Sequence, residues 1–252
     1  MNKLNSPLKV YEKLYGNFGP QGWWPITKKG KKYPGYYPLS YSRKKDSEKF
    51  EICLGAILTQ NTSWKNVEKA LFNLTANKLI DVKKINAISK NRLARLIRPS
   101  GYYNQKAGRI KGFAKYILNK YGTNISLLFK NSAEQARNEL LSLSGIGPET
   151  ADSMLLYAAN RTVFVVDTYT IRAGKRLGWF GTEKNCYVVL SSNKDKNYKN
   201  IQAFFHNYLP VSYKIYNEFH ALIVELGKNY CRKKPICIKC PLKAFCKYFK
   251  GI

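Results

Sequence analysis

Leu143-Ser144-Gly145-Ile146-Gly147-Pro148-Glu149-Thr150-Ala151 is the stretch that decides how this chain folds. A helix is expected to end at Ser144, because Gly145 and Gly147 permit a tight turn with positive φ. Pro148 then suits the first position of a new helix, since its fixed φ is already helical and it has no N–H to leave unpaired. The helix that follows carries Ala151, Met154, Leu155 and Ala158 on one face, the pattern of a core-packing element. A turn of this kind points backbone N–H groups outward at a helix start, where a phosphate can accept them. On composition alone, a plain pair of antiparallel helices explains the segment equally well.

The helical pattern continues on the upstream side. Val67, Ala70, Leu71 and Leu74 recur at i, i+3, i+4 and i+7, as do Ile110, Phe113, Ala114 and Ile117. Tyr121-Gly122 reads as a helix stop, and Ser132 with Gln135 as a capping box opening the helix that leads into the hairpin. Strands are scarce: the apolar run from Thr162 to Val166 is short, and residues 182–200 read as loop or weak helix. Residues 1–45, rich in Pro, Gly, Tyr and Lys, read as mostly loop. The expected class is all-α.

At 252 residues the chain is long enough for one large or two modest domains, and 44% hydrophobic content argues against wholesale disorder. Forty-four Lys and Arg against 15 Asp and Glu leave a net charge of +29, spread along the whole chain. Self-repulsion of that size favours a polyanionic partner, nucleic acid first and a membrane surface second. A generally lysine-rich proteome is the bland alternative. Apolar runs such as Val163–Val166 stop far short of a bilayer span, and MNKLNSPLKV is no secretion signal, so a cytoplasmic location without membrane partners is expected.

Four of the six cysteines, Cys231, Cys237, Cys240 and Cys246, form C-x5-C-x2-C-x5-C. Four thiolates so spaced can wrap a [4Fe-4S] cluster. Structural zinc is the rival, although zinc ribbons usually show two C-x2-C pairs and here there is one. Cys53 and Cys186 stand alone and read as ordinary thiols; His206 and His220 read as structural.

The hairpin, the apolar Val163-Phe164-Val165-Val166 and the Asp167 that follows it resemble the helix-hairpin-helix DNA glycosylases of the endonuclease III superfamily. Gly55-Ala56-Ile57-Leu58-Thr59-Gln60-Asn61-Thr62 is similar to that superfamily's helix leading into a DNA-contacting Gln. Gly101-Tyr102-Tyr103-Asn104-Gln105-Lys106-Ala107 is similar to the segment whose loop wedges into the duplex. The likeness runs over roughly residues 48–250 with its motifs in order. It implies two helical domains with duplex DNA between them: a six-helix barrel over 51–162, and residues 1–50 joined to 163–252 with the iron–sulfur loop at 231–246. The superfamily's cluster loop reads C-x6-C-x2-C-x5-C, so the first gap here is one residue short. The protein is expected to act as a monomer on damaged double-stranded DNA.

The resemblance assigns catalysis to Asp167, whose carboxylate would stabilise the oxocarbenium-like sugar and orient water. By itself, an Asp after an apolar run reads as a helix N-cap, and the two roles are compatible. Bifunctional members place a lysine in the hairpin's second helix to form a Schiff base; Glu149 stands there and cannot make an imine. Gly147-Pro148-Glu149-Thr150-Ala151-Asp152 and Trp23-Trp24-Pro25 look like the 3-methyladenine glycosylase branch. This implies a base pocket of Trp23, Trp24 and Phe50, where stacked rings favour the electron-poor base of an alkylated purine. Core packing is the bland reading of the paired tryptophans. Gln60, Tyr102, Gly145, Gly147 and Thr150 are the expected DNA contacts, with Gln60 and Tyr102 filling the vacated stack and separating the strands. The rivals are an endonuclease III-like enzyme for oxidised pyrimidines or mismatched bases, and a non-catalytic iron–sulfur DNA-binding module.

Overall fold

The structure is a computed structural model describing residues 6–183 and 185–251. Its described residues are almost entirely helical, and they divide into two compact units. One is continuous, Trp24–Arg161. The other joins the chain up to Trp23 with everything from Thr162 onward.

The first helix, α1 (Pro7–Phe18), lies in the segment expected to be loop. Ser6 caps it by accepting from the Lys9 N–H at 3.3 Å, Pro7 opens it, and Val10 and Leu14 are buried. The turn-forming composition of residues 19–45 masks this short amphipathic stretch.

The continuous unit is built around α2 (Asp46–Leu58), whose residues from Lys49 to Leu58 are all buried. Only a helix enclosed on every side loses its polar face in this way. Against it pack α3 (Trp64–Ala76), α6 (Tyr103–Tyr121), α7 (Ile125–Leu128) and α9 (Pro148–Ser153), while α4 (Val82–Ala87) and α5 (Lys90–Leu96) pack on α6 and α8 (Ala133–Leu141) packs on α9. The expected capping box forms at α8, where Ser132 and Gln135 exchange backbone donors. That helix ends three residues earlier than expected, at Leu141, and α9 continues into a fully buried π-helical turn, Met154–Ala158. Arg137 and the buried Asp152 form a bidentate ion pair, at 2.6 and 3.2 Å, that ties α8 to α9.

In the discontinuous unit follow α10 (Thr168–Leu177), α11 (Lys194–Tyr208), α12 (Tyr213–Asn229) and α13 (Lys247–Lys250), with α12 packed on α1 and α10. A minimal parallel pair, β1 (Phe180–Gly181) with β2 (Val188–Val189), interrupts the helices. The tract 182–200 is therefore half loop and half the start of α11, capped by Asn193. Phe164, Phe205, Phe219 and Tyr216 form the aromatic centre of this unit. The N-terminal boundary lies between Trp23 and Trp24, not after Phe50 as expected. Residues 24–50 join the continuous unit because Thr27 is bound to the buried Glu51 and Trp24 packs on Gly55 of α2.

Candidate active site

Asp167 is the N-cap of α10: its Oδ1 accepts the Thr170 N–H at 2.7 Å. The side chain is buried, and Oδ2 lies 3.7 Å from Nε2 of His220 on α12. Burial pushes this carboxyl up, but His220 together with the Thr170 donors outweighs it and holds Asp167 below its ordinary value near 3.8. The site thus keeps a desolvated carboxylate ionised, with one oxygen spent on the helix and the other turned to an imidazole.

The sequence marks His220 only as structural, and its position beside Asp167 makes it part of the site. No local signal announces it, because the two residues meet only through the packing of α10 on α12. Replacing His220 with Phe removes the partner that most offsets burial, so the Asp167 pKa rises. The acid limb of any Asp167-dependent rate then moves to higher pH, which a single-turnover pH profile checks; an unchanged limb would count against the pairing. The stability linkage has the same sign: the wild-type carboxylate contributes above its unfolded pKa and loses that contribution as pH falls through its lower folded value. His206 is structural as expected, accepting the Phe164 N–H at 3.1 Å and stacking on Tyr216.

The hairpin brings three of the expected DNA contacts together. Gln60 Nε2 donates to the Gly145 carbonyl and to Thr150 Oγ1, each at 2.9 Å. The Gln60 carbonyl accepts from the Arg109 guanidinium of α6, a residue that no motif in the sequence singles out. Gly145 has φ 79°, and a Cβ there would fall on the Arg109 side chain, so glycine is required twice over. Gly147, exposed, caps α9, and Pro148 opens it. Glu149 is exposed in the first turn.

Tyr102 is 64% exposed and left-handed (φ 45°, ψ 32°) at the start of α6, a conformation that costs a non-glycine residue about 1 kcal/mol or more. The buried Lys106 anchors the loop beneath it. Its ammonium donates to the carbonyls of Leu58 and Ser100, both at 2.7 Å, joining the end of α2 to the loop before Tyr102. Burial, then the nearby Arg109, pushes the Lys106 pKa down to about 8.

The three expected pocket aromatics are not equivalent. Trp24 is buried in the continuous unit, flat against Gly55 and edge-on to Trp64 at 5.3 Å. Phe50 is 1% exposed and stacks on Phe113, so its ring is a core contact with no open face. Trp23 belongs to the discontinuous unit, where the Lys228 ammonium lies 5.4 Å from its ring centre.

The four C-terminal cysteines are each partly buried. Two arginines of α10 hold their loop: Arg172 donates to the Cys231 carbonyl at 2.7 Å, and Arg176 donates to Cys231 Sγ at 3.2 Å and to the carbonyls of Arg232 and Lys233. The Cys246 thiol donates to the Arg176 carbonyl. Burial pushes Cys240 up to about 11, with Cys231, Cys246 and Cys237 adding to it. Among the described residues no three potential ligands converge as a single metal ion requires. Zinc would draw four thiolates to about 2.3 Å from one point. Four cysteine thiols gathered beside these two arginines are the donor chemistry that a [4Fe-4S] cluster takes. Cys53 is buried in the core, which raises its pKa.

Residues 54–192 match the HhH-GPD superfamily base excision DNA repair protein family. A Methanocaldococcus jannaschii protein assigned by name to the DNA repair glycosylases is 42% identical over 247 residues, 97% of each chain. The endonuclease III of Sulfolobus acidocaldarius is 32% identical, over 83% of this chain and 86% of its own length. Among solved structures, the Helicobacter pylori 3-methyladenine DNA glycosylase bound to 1,N6-ethenoadenine aligns with TM-score 0.65 and 28% identity, over 88% of this chain and 97% of that one. An endonuclease III–DNA complex aligns with TM-score 0.71 at 20% identity, over 96% and 94%, a likeness of fold. The chain belongs to the HhH-GPD superfamily of base excision DNA repair proteins, among the DNA glycosylases. No helix among its described residues is long and apolar enough to cross a membrane.

Proposed function

We propose that this protein hydrolyses the N-glycosidic bond of alkylated purines, 3-methyladenine and 7-methylguanine among them, in duplex DNA, without cleaving the strand. The observation that carries the reading is the buried, ionised Asp167 at the start of α10. A purine alkylated at N3 or N7 is already cationic and leaves with the bonding electron pair without needing an acid. As that bond lengthens, positive charge grows on the sugar, and the Asp167 carboxylate stabilises it. Water then bonds to the anomeric carbon and gives up its proton, with Asp167 as the acceptor in reach of the site's chemistry. Before this the base must leave the helical stack. Trp23 and Trp24 are assigned to stacking on the cationic ring, and Phe50 to support of that region through Phe113. Gln60 and Tyr102 are assigned to the vacated duplex, with Gly145, Gly147 and Thr150 at a phosphate.

In its clamped state, Gln60 is spent on the hairpin, so filling the duplex means exchanging three hydrogen bonds for contacts with DNA. Cys231, Cys237, Cys240 and Cys246 would hold the cluster, which supplies a covalent tie across their loop and takes no part in the steps above.

The identity with the S. acidocaldarius endonuclease III favours a second reading, an enzyme for oxidised or mismatched bases. One experiment separates the two. Incubated with methylated duplex, wild-type protein is expected to release methylpurines, to leave abasic strands intact, and to give no covalent complex with borohydride, because Glu149 cannot form an imine. Efficient trapping, or release of oxidised pyrimidines alone, would overturn the proposal.

A further inference from the structure

The loop that follows Trp24 has a build that the glycosylase site does not use. Ile26 and Gly35 pair across its base, with N–H···O distances of 3.1 and 2.9 Å, and Ile26 and Pro34 are buried. Thr27 is fastened to Glu51 by both its N–H and its hydroxyl, the latter at 2.6 Å. At the tip the Lys31 N–H returns to the Lys28 carbonyl at 2.9 Å, with Gly30 at φ 81°. This closed finger presents Lys28, Lys29, Lys31 and Lys32 to solvent, and residues 21–45 contain no Asp or Glu.

Beside the finger is a cleft of about 610 Å³, lined by Lys28, Lys29, Gly30, Lys31, Lys45 and Thr75 among others. Its two carboxylates face backbone donors: Glu48 takes the Lys45 N–H at 2.8 Å, and Glu51 takes Thr27. The Thr75 hydroxyl has no hydrogen-bond partner among the described residues. One turn before Thr75 on α3, Phe72 carries the ring of Tyr33 at 4.4 Å and 19°. Tyr33 is nonetheless 56% exposed, so its back is braced and its other face is open.

Lysines around a groove of nucleotide size, next to a rigidly backed aromatic face, form the combination that grips a backbone and stacks a base. A paired base keeps its faces covered; an unpaired one offers a face to such a ring. We propose that this finger and cleft form a second nucleic-acid site, in which Lys28, Lys29, Lys31 and Lys45 hold the phosphates of an unpaired strand and Tyr33 stacks one of its bases. The proposal rests on nucleic acid being the partner of this chain, and on neither the lesion nor the chemistry assigned to Asp167.

The test is a fluorescence-anisotropy titration of the full chain with an undamaged, labelled oligothymidylate across a salt series. Replacing Lys28, Lys29 and Lys31 together with Ala should lower the salt slope by about 2, roughly 0.7 for each phosphate that a lysine no longer neutralises. Tyr33→Ala should weaken binding about tenfold at fixed salt with the slope unchanged, and Tyr33→Phe should restore it. On a paired duplex of equal length, Tyr33→Ala should bind as wild type. Wild-type isotherms from both variants on the single strand would overturn the site, and so would an equal loss on duplex and single strand with Tyr33→Ala. Base release is not read, so a failed lesion assignment and a failed second site give different results.

Discussion

Asp167→Asn should lower single-turnover release of a methylated purine by about 10²- to 10⁴-fold while changing affinity for the lesion-bearing duplex little. The substitution removes charge and almost nothing else. Asparagine is as good an N-cap as aspartate, so its side-chain oxygen can still accept the Thr170 N–H, and α10 keeps its start. The amide remains beside His220 without the ion-pairing that depresses the wild-type pKa. A rate within a fewfold of wild type would remove Asp167 from the chemistry. A matching loss in affinity would make it a residue for binding DNA, since only an interaction stronger in the transition state appears in the rate alone.

Cys240→Ser should have the largest effect on stability. Wild-type protein is expected to be brown and to carry about four irons per chain, and the variant to lose both. The loop from Cys231 to Cys246 has only one short helical piece of its own, at Lys243–Phe245, before α13 begins at Lys247. Arg172, Arg176 and a few backbone bonds, such as Ile236 N–H to the Tyr230 carbonyl at 2.9 Å, hold the rest, together with whatever the four thiolates bind. Where a bound metal centre replaces a core, its binding energy is folding energy, so the variant should melt about 10 °C or more below wild type. A colourless wild-type protein containing one zinc would refute the cluster, and an unchanged melting point with iron lost would make the cluster dispensable to the fold.

The parts that sequence makes legible are those written in local chemistry. Gly145 takes the positive φ that other residues resist and Pro148 fixes a helical φ wherever it stands, so the hairpin can be read without knowing its surroundings. Ser132 with Gln135 and Asp167 before α10 act through side chains that reach three residues along the chain. What stays hidden is set by packing at long range. Nothing near His220 marks it as the neighbour of Asp167, and nothing near Arg109 marks it as the clamp on Gln60. Both contacts exist only once helices lie against one another. The helix α1 is hidden for the opposite reason: its cap and its two buried residues are local, but the glycines, prolines and tyrosines after it dominate the composition of the window. Paired tryptophans at 23 and 24 read as one motif, whereas the boundary between the two units runs between them.

That boundary also sets an order of events during synthesis. The helix α1 packs on α12, and to a lesser extent on α11, both far later in the sequence, so its apolar face has no partner until those helices have been made. The continuous unit, 24–161, can close meanwhile on its own contacts. The ribosome therefore delivers a folded middle flanked by an exposed amphipathic helix, a natural substrate for a holding chaperone. Only the arrival of α12, just ahead of the four cysteines, releases it.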